Sequence, residues 1–462
     1  MLAKFKKKYI GDWDFYQKYL LLAIPMILQN AITNLVSFLD NIMVGQLGTE
    51  QMSGVAIVNQ LIFVYNLAIF GAVSAASIFG AQYFGKGNHK GHMYSFRFKL
   101  YATLLVTGGA ILLFLTKGSA LISLYLTDTV GNGATDLALQ YGLEYLAIMM
   151  VGLIPFAVNQ SYATNIKETG QTFIPMLASF VAVGTNAILD YLMIFGIGPF
   201  PELGVQGAAL ATVIARYIEA LIVVIWAHIH RGKNRYLEGA YTGFGIPLAE
   251  LKAILIKGFP LMMNEVLWAA GMTTVTQCYS VRGLNVVAGL NIASTITNLF
   301  NIVYLQLGSC ISIVVGQYLG AGELEKAKDA DNKMIVFSVF CCVIVAVCML
   351  FMGRFFPQIY NTSEEIRALA TSFIAVSAII MPFCSFSHAS YFTLRSGGKT
   401  MVTFLFDSVF TWIVVVPTAF LLAHFTGLGI VSVYFLVQAT ELIKVVIGYF
   451  MVHSNVWLVQ MV

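Results

Sequence analysis

The sequence predicts an all-α polytopic membrane protein with twelve transmembrane helices in two parallel repeats of six. Three observations predict it: a composition too poor in charge for a soluble surface, twelve long apolar stretches, and an internal duplication. Of 462 residues, 58% are hydrophobic and 10% charged, against roughly 25% charged in soluble domains. Lipid is therefore expected to be the outer solvent for much of the chain. With 34 Phe and 22 Tyr the chain is far from disordered composition. Its six cysteines, all inside apolar stretches and without a CxxC pair, suggest small packing residues rather than a disulfide framework or metal cluster.

The apolar stretches cover residues 17–43, 53–79, 94–116, 137–160, 168–192, 203–228, 252–278, 285–314, 332–356, 366–391, 401–423 and 428–452. Most exceed the roughly 20 residues a helix needs to cross the hydrocarbon. Helices satisfy their own backbone in lipid, and the short alternating segments of a β-barrel are absent from the pattern. The first stretch follows a basic start but is too long for a signal peptide and lacks a small-residue cleavage pattern. It reads as a mature helix.

Basic residues test the count. With twelve spans and both termini cytoplasmic, the inner segments hold twenty Lys and Arg, among them Lys4, Lys6, Lys7, Lys86, Arg231 and Lys399. The outer segments hold four: Lys117, Arg282, Arg354 and Arg367. That is a strong positive-inside bias, which a miscounted span would scramble.

The two halves repeat each other. Without a gap, Pro25 aligns with Pro260, Asn66 with Asn301, and Gln82-Tyr83-x-Gly85-x-Gly87 with Gln317-Tyr318-x-Gly320-x-Gly322. Later, Pro155-Phe156 aligns with Pro382-Phe383, Gly170 with Gly398, and Leu203-Gly204 with Leu428-Gly429. Six spans per copy is an even number, so the repeats are parallel, and a cavity is expected at their interface. Residues 1–228 form the expected first lobe, 229–251 a cytoplasmic linker and hinge, and 252–462 the second lobe. A monomer suffices, since one chain carries both halves.

Ionisable groups within spans mark ion or substrate paths. Asp40 and Asp190 both fall toward the outer halves of their helices. Asn186 is one turn before Asp190 on the same face, and Thr212 reaches the same level on span 6. Two carboxylates, an amide oxygen and a hydroxyl make a hard-oxygen site for Na⁺, H⁺ or both in competition. Glu265, Asn30, Asn34, Gln60, Asn159, Gln277 and Asp407 are candidates for a polar cavity or a second coupling site. For Asp407, local packing or snorkelling is preferred. Arg216 and Glu219, and Glu441 and Lys444, sit i,i+3 and are expected to form local salt bridges. Pro25, Pro155, Pro260 and Pro382 are expected kinks or hinges, because each removes an intrahelical bond.

Taken together, the duplication, the ILQNAITNLVSFLDNIMVGQLG opening that contains Asp40, Gln82-Tyr83-x-Gly85, and Asn186-x-x-x-Asp190 followed by LGVQGAALAT resemble the MATE family of multidrug and toxic-compound extrusion transporters, in its prokaryotic form. The resemblance runs over essentially the whole chain. It implies two six-helix lobes set as a V around a central cavity in a prokaryotic inner membrane. It also implies antiport of Na⁺ or H⁺ against lipophilic, often cationic compounds. The family's first-lobe cation site carries over onto Asp40, Asn186, Asp190 and Thr212. Glu265 resembles the first of two acidic residues that another branch uses in spans 7 and 10. Span 10 here has no carboxylate, only His388, which shifts the expectation to the first lobe.

The expected partners are organic cations, lipophilic compounds and membrane lipid, not nucleic acid. No cofactor is expected beyond the transported cation. There is no GxxxxGK[ST] loop for ATP, and no HExxH or GxSxG context for an enzyme. The alternative is a flippase for a lipid or lipid-linked precursor, which would call for a strongly cationic cavity. Few basic residues lie deep within the spans, away from their ends, namely Arg216 and Lys444.

Overall fold

Helices in lipid lengthen until loop chemistry stops them, so they run past the apolar stretches that nucleate them. The computed structural model of the chain describes residues 8–126, 132–243 and 245–462. Lys4, Lys6 and Lys7 of the basic start lie outside these, as does residue 244 of the expected linker. The spans become α1 (Trp13–Gly45), α2 (Thr49–Lys86), α3 (His89–Ser123), α4 (Asn132–Val151 and Leu153–Glu168), α5 (Phe173–Phe195) and α6 (Gly204–Ile229). The second set is α7 (Leu248–Ser280), α8 (Leu284–Gly320), α9 (Leu324–Met352), α10 (Glu364–Ser396), α11 (Thr400–Phe425) and α12 (Ile430–His453). Among the described residues, eleven are individually long and apolar enough to cross a membrane, and the bent pair of α4, taken as one span, makes twelve. Leu105, Leu112, Ile188, Phe259 and Ile413 point outward, as a lipid solvent allows.

Proline and its neighbours shape several of these helices. The two segments of α4 bend by 44° at Gly152, three residues before Pro155, whose missing N–H leaves the Val151 carbonyl without its helical donor. Pro25, Pro260 and Pro382 lie inside continuous helices. Helix α11 contains two π-helical turns, Leu405–Val409 and Thr411–Val415, immediately before Pro417. Such turns re-aim side chains and often mark functional positions.

The chain divides into two compact units. One comprises Ile24–Gly80 and His89–Lys252. Its core is built on Val58, Ile62, Tyr65, Ile69, Met149, Leu153 and Ala209. The other comprises Met1–Ala23 (described from residue 8), Ala81–Asn88 and Ala253–Val462. Its core centres on Val286, Ala293, Met349, Phe373, Met381 and Val433.

Part of the segment expected to be a hinge is docked within the first of these units. Arg97 donates to the carbonyls of Gly239 (2.6 Å), Ala240 (2.9 Å) and Gly245 (2.8 Å). Tyr236 and Leu237 are buried beside Phe96 and Ile166.

The duplicated Gln-Tyr-x-Gly motif has a packing explanation inside the second unit. A Cβ on Gly85 would lie 2.0 Å from the Gln317 carbonyl oxygen, and one on Gly320 would lie 1.9 Å from that of Gln82. Each motif's glycine thus admits the other motif's backbone. The Gln82 side chain donates to the Ser396 carbonyl at 2.9 Å and accepts from the Met461 N–H at 2.8 Å. Gln460 donates to the Gly320 carbonyl at 2.9 Å. Replacing Gly320 by Val must force these backbones apart, at a cost of roughly 1–3 kcal/mol or more. Gly320→Val is expected to lower the thermal unfolding midpoint in detergent, whereas Gly108→Ala, mid-helix where a Cβ meets open space, should leave it equal or slightly higher.

Candidate functional site

The acidic pair is assembled within the first-described unit by α1, α5 and α6. Asp190 is 1% exposed and Asn186 6%, in a bilayer-crossing bundle where burial without partners is expensive. Asn186 Nδ2 donates to Asp190 Oδ2 at 2.9 Å and lies 3.5 Å from Thr212 Oγ1. Thr212 in turn donates to the Ala208 carbonyl at 3.0 Å, leaving its lone pairs available. The carboxyl groups of Asp40 and Asp190 lie close enough to interact directly. Asp40 Oδ1 and Asp190 Oδ1 are both buried, and neither accepts a hydrogen bond from a described residue. Two adjacent carboxylates repel unless a proton or a cation lies between them. The oxygens present suit either. No cluster of three or more His, Cys, Asp or Glu able to hold a metal ion occurs among the described residues.

The other sequence candidates scatter. Asn30 donates to the Met26 carbonyl and Asn34 to that of Asn30, both at 2.9 Å along their own helix. Asn159 is buried, with an Oδ1 that accepts no described hydrogen bond. Gln60 and Gln277 are exposed. Glu265 is half-buried, within electrostatic reach of Arg395 and Asp407.

Cross-helix partners set the electrostatic pairs. Asp407 is held by local packing, the reading preferred for it from the sequence: it accepts from Lys444 Nζ at 2.9 Å and from Asn264 Nδ2 at 3.1 Å. Lys444 is 3.9 Å from Glu441, so the expected i,i+3 contact is present but secondary. The π-helical turn carrying Asp407 also presents the Ser408 N–H to Asn264 Oδ1 at 3.2 Å. On α6, Arg216 and Glu219 form no ion pair among the described residues. Arg216 reaches the Gly152 carbonyl at 3.4 Å and the Phe156 ring, while Glu219 accepts from the Ser179 hydroxyl. A helix-wheel argument fixes only Cβ proximity; the nearest cross-helix partner decides the pairing.

Sequence reasoning missed one buried cluster. Lys99, fully buried on α3, donates to Asn165 and Glu168 of α4 at 2.5 Å each, and His92 lies 3.4 Å from Glu168. A lysine five residues inside an apolar stretch, with a glutamate ending the next span, was the available signal. Positive-inside counting absorbed it as a loop charge.

A duplicated α-helical membrane bundle with buried acidic groups on its spans defines a polytopic membrane transporter, not an enzyme. The MatE family profile matches residues 25–192 and 260–421, and the chain belongs to the MATE family. Among curated relatives, a probable multidrug resistance protein NorM from Thermotoga maritima is 23% identical over 415 residues, covering 89% of this chain and 87% of that protein. Among solved structures, an outward-facing multidrug resistance MATE transporter superposes with a TM-score of 0.86 at 20% identity, covering 96% of each chain. A transporter from Pyrococcus furiosus, described as having a binding pocket of reversed polarity that suggests a different function, superposes at 0.85, with the same identity and coverage. At this identity the structural matches show the fold.

The Asp407–Lys444 pair can be tested directly. Asp407→Asn removes the nearer of two carboxylates beside the buried Lys444 ammonium and leaves Glu441 at 3.9 Å, so its cost falls below the about 3–5 kcal/mol of a fully unpaired buried charge. The single variant should unfold at clearly lower temperature than wild type in detergent, and adding Lys444→Met should recover most of the loss.

Proposed function

We propose that the protein is a cation-coupled antiporter of the prokaryotic inner membrane that exports lipophilic, often cationic organic compounds by alternating access. The observation that supports this reading is the pair of buried, hydrogen-bond-deficient oxygens on Asp40 and Asp190, with Asn186 and Thr212 beside them. A proton or sodium ion bound there relieves the repulsion, and its arrival and departure change the charge of the bundle by one unit. That change does work only if the two access states bind the cation or the exported compound differently. One charge moving inward across 100 mV supplies about 2.3 kcal/mol, or roughly fifty-fold accumulation. Asp40, Asn186, Asp190 and Thr212 are the coupling residues in this scheme. Glu265 is the nearest candidate for contact with a cationic substrate, because Asp407 is already neutralised by Lys444.

The flippase alternative has little to draw on. The two basic residues within the spans singled out for it, Arg216 and Lys444, are turned to a backbone carbonyl and to Asp407, leaving neither free for a pyrophosphate head group.

The test is transport of a fluorescent organic cation by the purified chain in liposomes, with sodium and proton gradients imposed separately. Asp40→Asn and Asp190→Asn should each cut gradient-driven accumulation by at least about tenfold while leaving the thermal midpoint near that of wild type. Undiminished accumulation in Asp40→Asn would remove that residue from coupling.

A further inference from the structure

The two repeats carry corresponding polar triads with different charges. The registers that pair Pro25 with Pro260, Gly170 with Gly398 and Leu203 with Leu428 also pair Gln29 with Asn264, Ser179 with Asp407 and Glu219 with Lys444. Each set is a contact group in its own unit. In one, Gln29 Nε2 donates to Ser179 Oγ at 2.7 Å and the Ser179 hydroxyl donates to Glu219. In the other, Asn264 Nδ2 and Lys444 Nζ both donate to Asp407. The second triad therefore contains its own cation, an ammonium tethered to α12. The first contains a carboxylate, a hydroxyl and an amide oxygen, with no basic group in ion-pairing range of Glu219 among the described residues. Arg216, one turn away, is turned to the Gly152 carbonyl. Gln29 Oε1 is buried and accepts no described hydrogen bond.

We propose that Gln29, Ser179 and Glu219 form a second station for a small monovalent cation, in the position that the Lys444 ammonium fills in the other repeat. This station rests on the antiport reading above and supplies its inward route. Its residues lie on the same three helices as the acidic pair. Ser179 precedes Asn186 by seven residues on α5, and Glu219 follows Thr212 by seven on α6. The two helices run in opposite directions, so both steps lead the same way, about 10 Å at 1.5 Å per residue. Gln29 lies before Asp40 on α1, in that direction as well. By the distribution of basic loops, that direction is the cytoplasm. The hard oxygen set recognises Na⁺ or a proton carried on the carboxylate. A cation leaving Asp40 and Asp190 thus meets a second carboxylate before it reaches water.

The decisive substitution takes the other repeat's residue. Glu219→Lys removes the station's carboxylate and puts an ammonium beside Gln29 and Ser179, so that no second cation can bind there. The full-length chain is purified and reconstituted, and two quantities are read for Glu219→Lys, Glu219→Gln, Glu219→Asp and Asp40→Asn. One is thermal stabilisation by Na⁺ and by proton; the other is gradient-driven flux of each ion. The expected result is that Glu219→Lys keeps the cation-induced stabilisation that Asp40→Asn abolishes, while its ion flux falls at least tenfold. Glu219→Asp should keep flux within threefold of wild type.

Wild-type flux in Glu219→Lys overturns the station. So does joint loss of stabilisation in the Lys, Gln and Asp variants, which would make Glu219 a scaffold residue. If Glu219→Lys does not fold, Glu219→Gln and Glu219→Asp decide: lost flux with retained stabilisation in Gln, restored by Asp, supports the station, and unchanged flux in Gln overturns it. Flux that survives Asp40→Asn but not Glu219→Lys would refute the Asp40 assignment and leave the station standing.

Discussion

A carboxylate enclosed by a lipid-solvated bundle must be matched by a proton, a cation or a set of donors, because water is not there to stabilise it. This requirement sorts three of the acidic groups in the spans. Asp407 is matched by a lysine and an asparagine, and Glu168 by a lysine with a histidine alongside. Asp190 is matched on one oxygen by Asn186, and its other oxygen is buried and accepts no described hydrogen bond. Where the protein completes the match, the group holds helices together. Where it leaves the match open, something transported can complete it.

The duplication lets that contrast be read twice on one scaffold. Glycines at the Gln-Tyr-x-Gly motifs allow the same close backbone approach in both copies, and the helix order is kept throughout. Charge is not kept. The aspartate at position 40 has valine at its counterpart, position 275, and the glutamate at 219 has lysine at 444. The second repeat's triad supplies its own ammonium, and the first repeat's triad does not.

Much of the architecture was legible in one dimension. Lipid demands a helix length, so twelve apolar stretches announce twelve crossings, and lysine and arginine counts in the loops orient them. The acidic pair was legible too, since an aspartate inside such a stretch has few innocent explanations. Less visible was α4, expected as one span over 137–160 and found as two segments around Gly152. A single glycine and a nearby proline lower the cost of bending without requiring it. The docking of residues 239–245 on Arg97 left no trace in composition, because the guanidinium binds backbone carbonyls, which every residue has.

By itself, then, the sequence determined the solvent, the number of crossings, the repeat and the identity of the exceptional polar residues. These follow from local chemistry: hydropathy, length and spacing along one helix. Only the tertiary structure decided which polar groups meet. Glu219 turns to Ser179 and not to Arg216, Lys444 to Asp407 more closely than to Glu441, and Lys99 inward to Glu168. The reason is geometric. Cross-helix distances of a few ångströms depend on helix rotation, bends and π-helical turns, and a shift of one residue in register exchanges one partner for another.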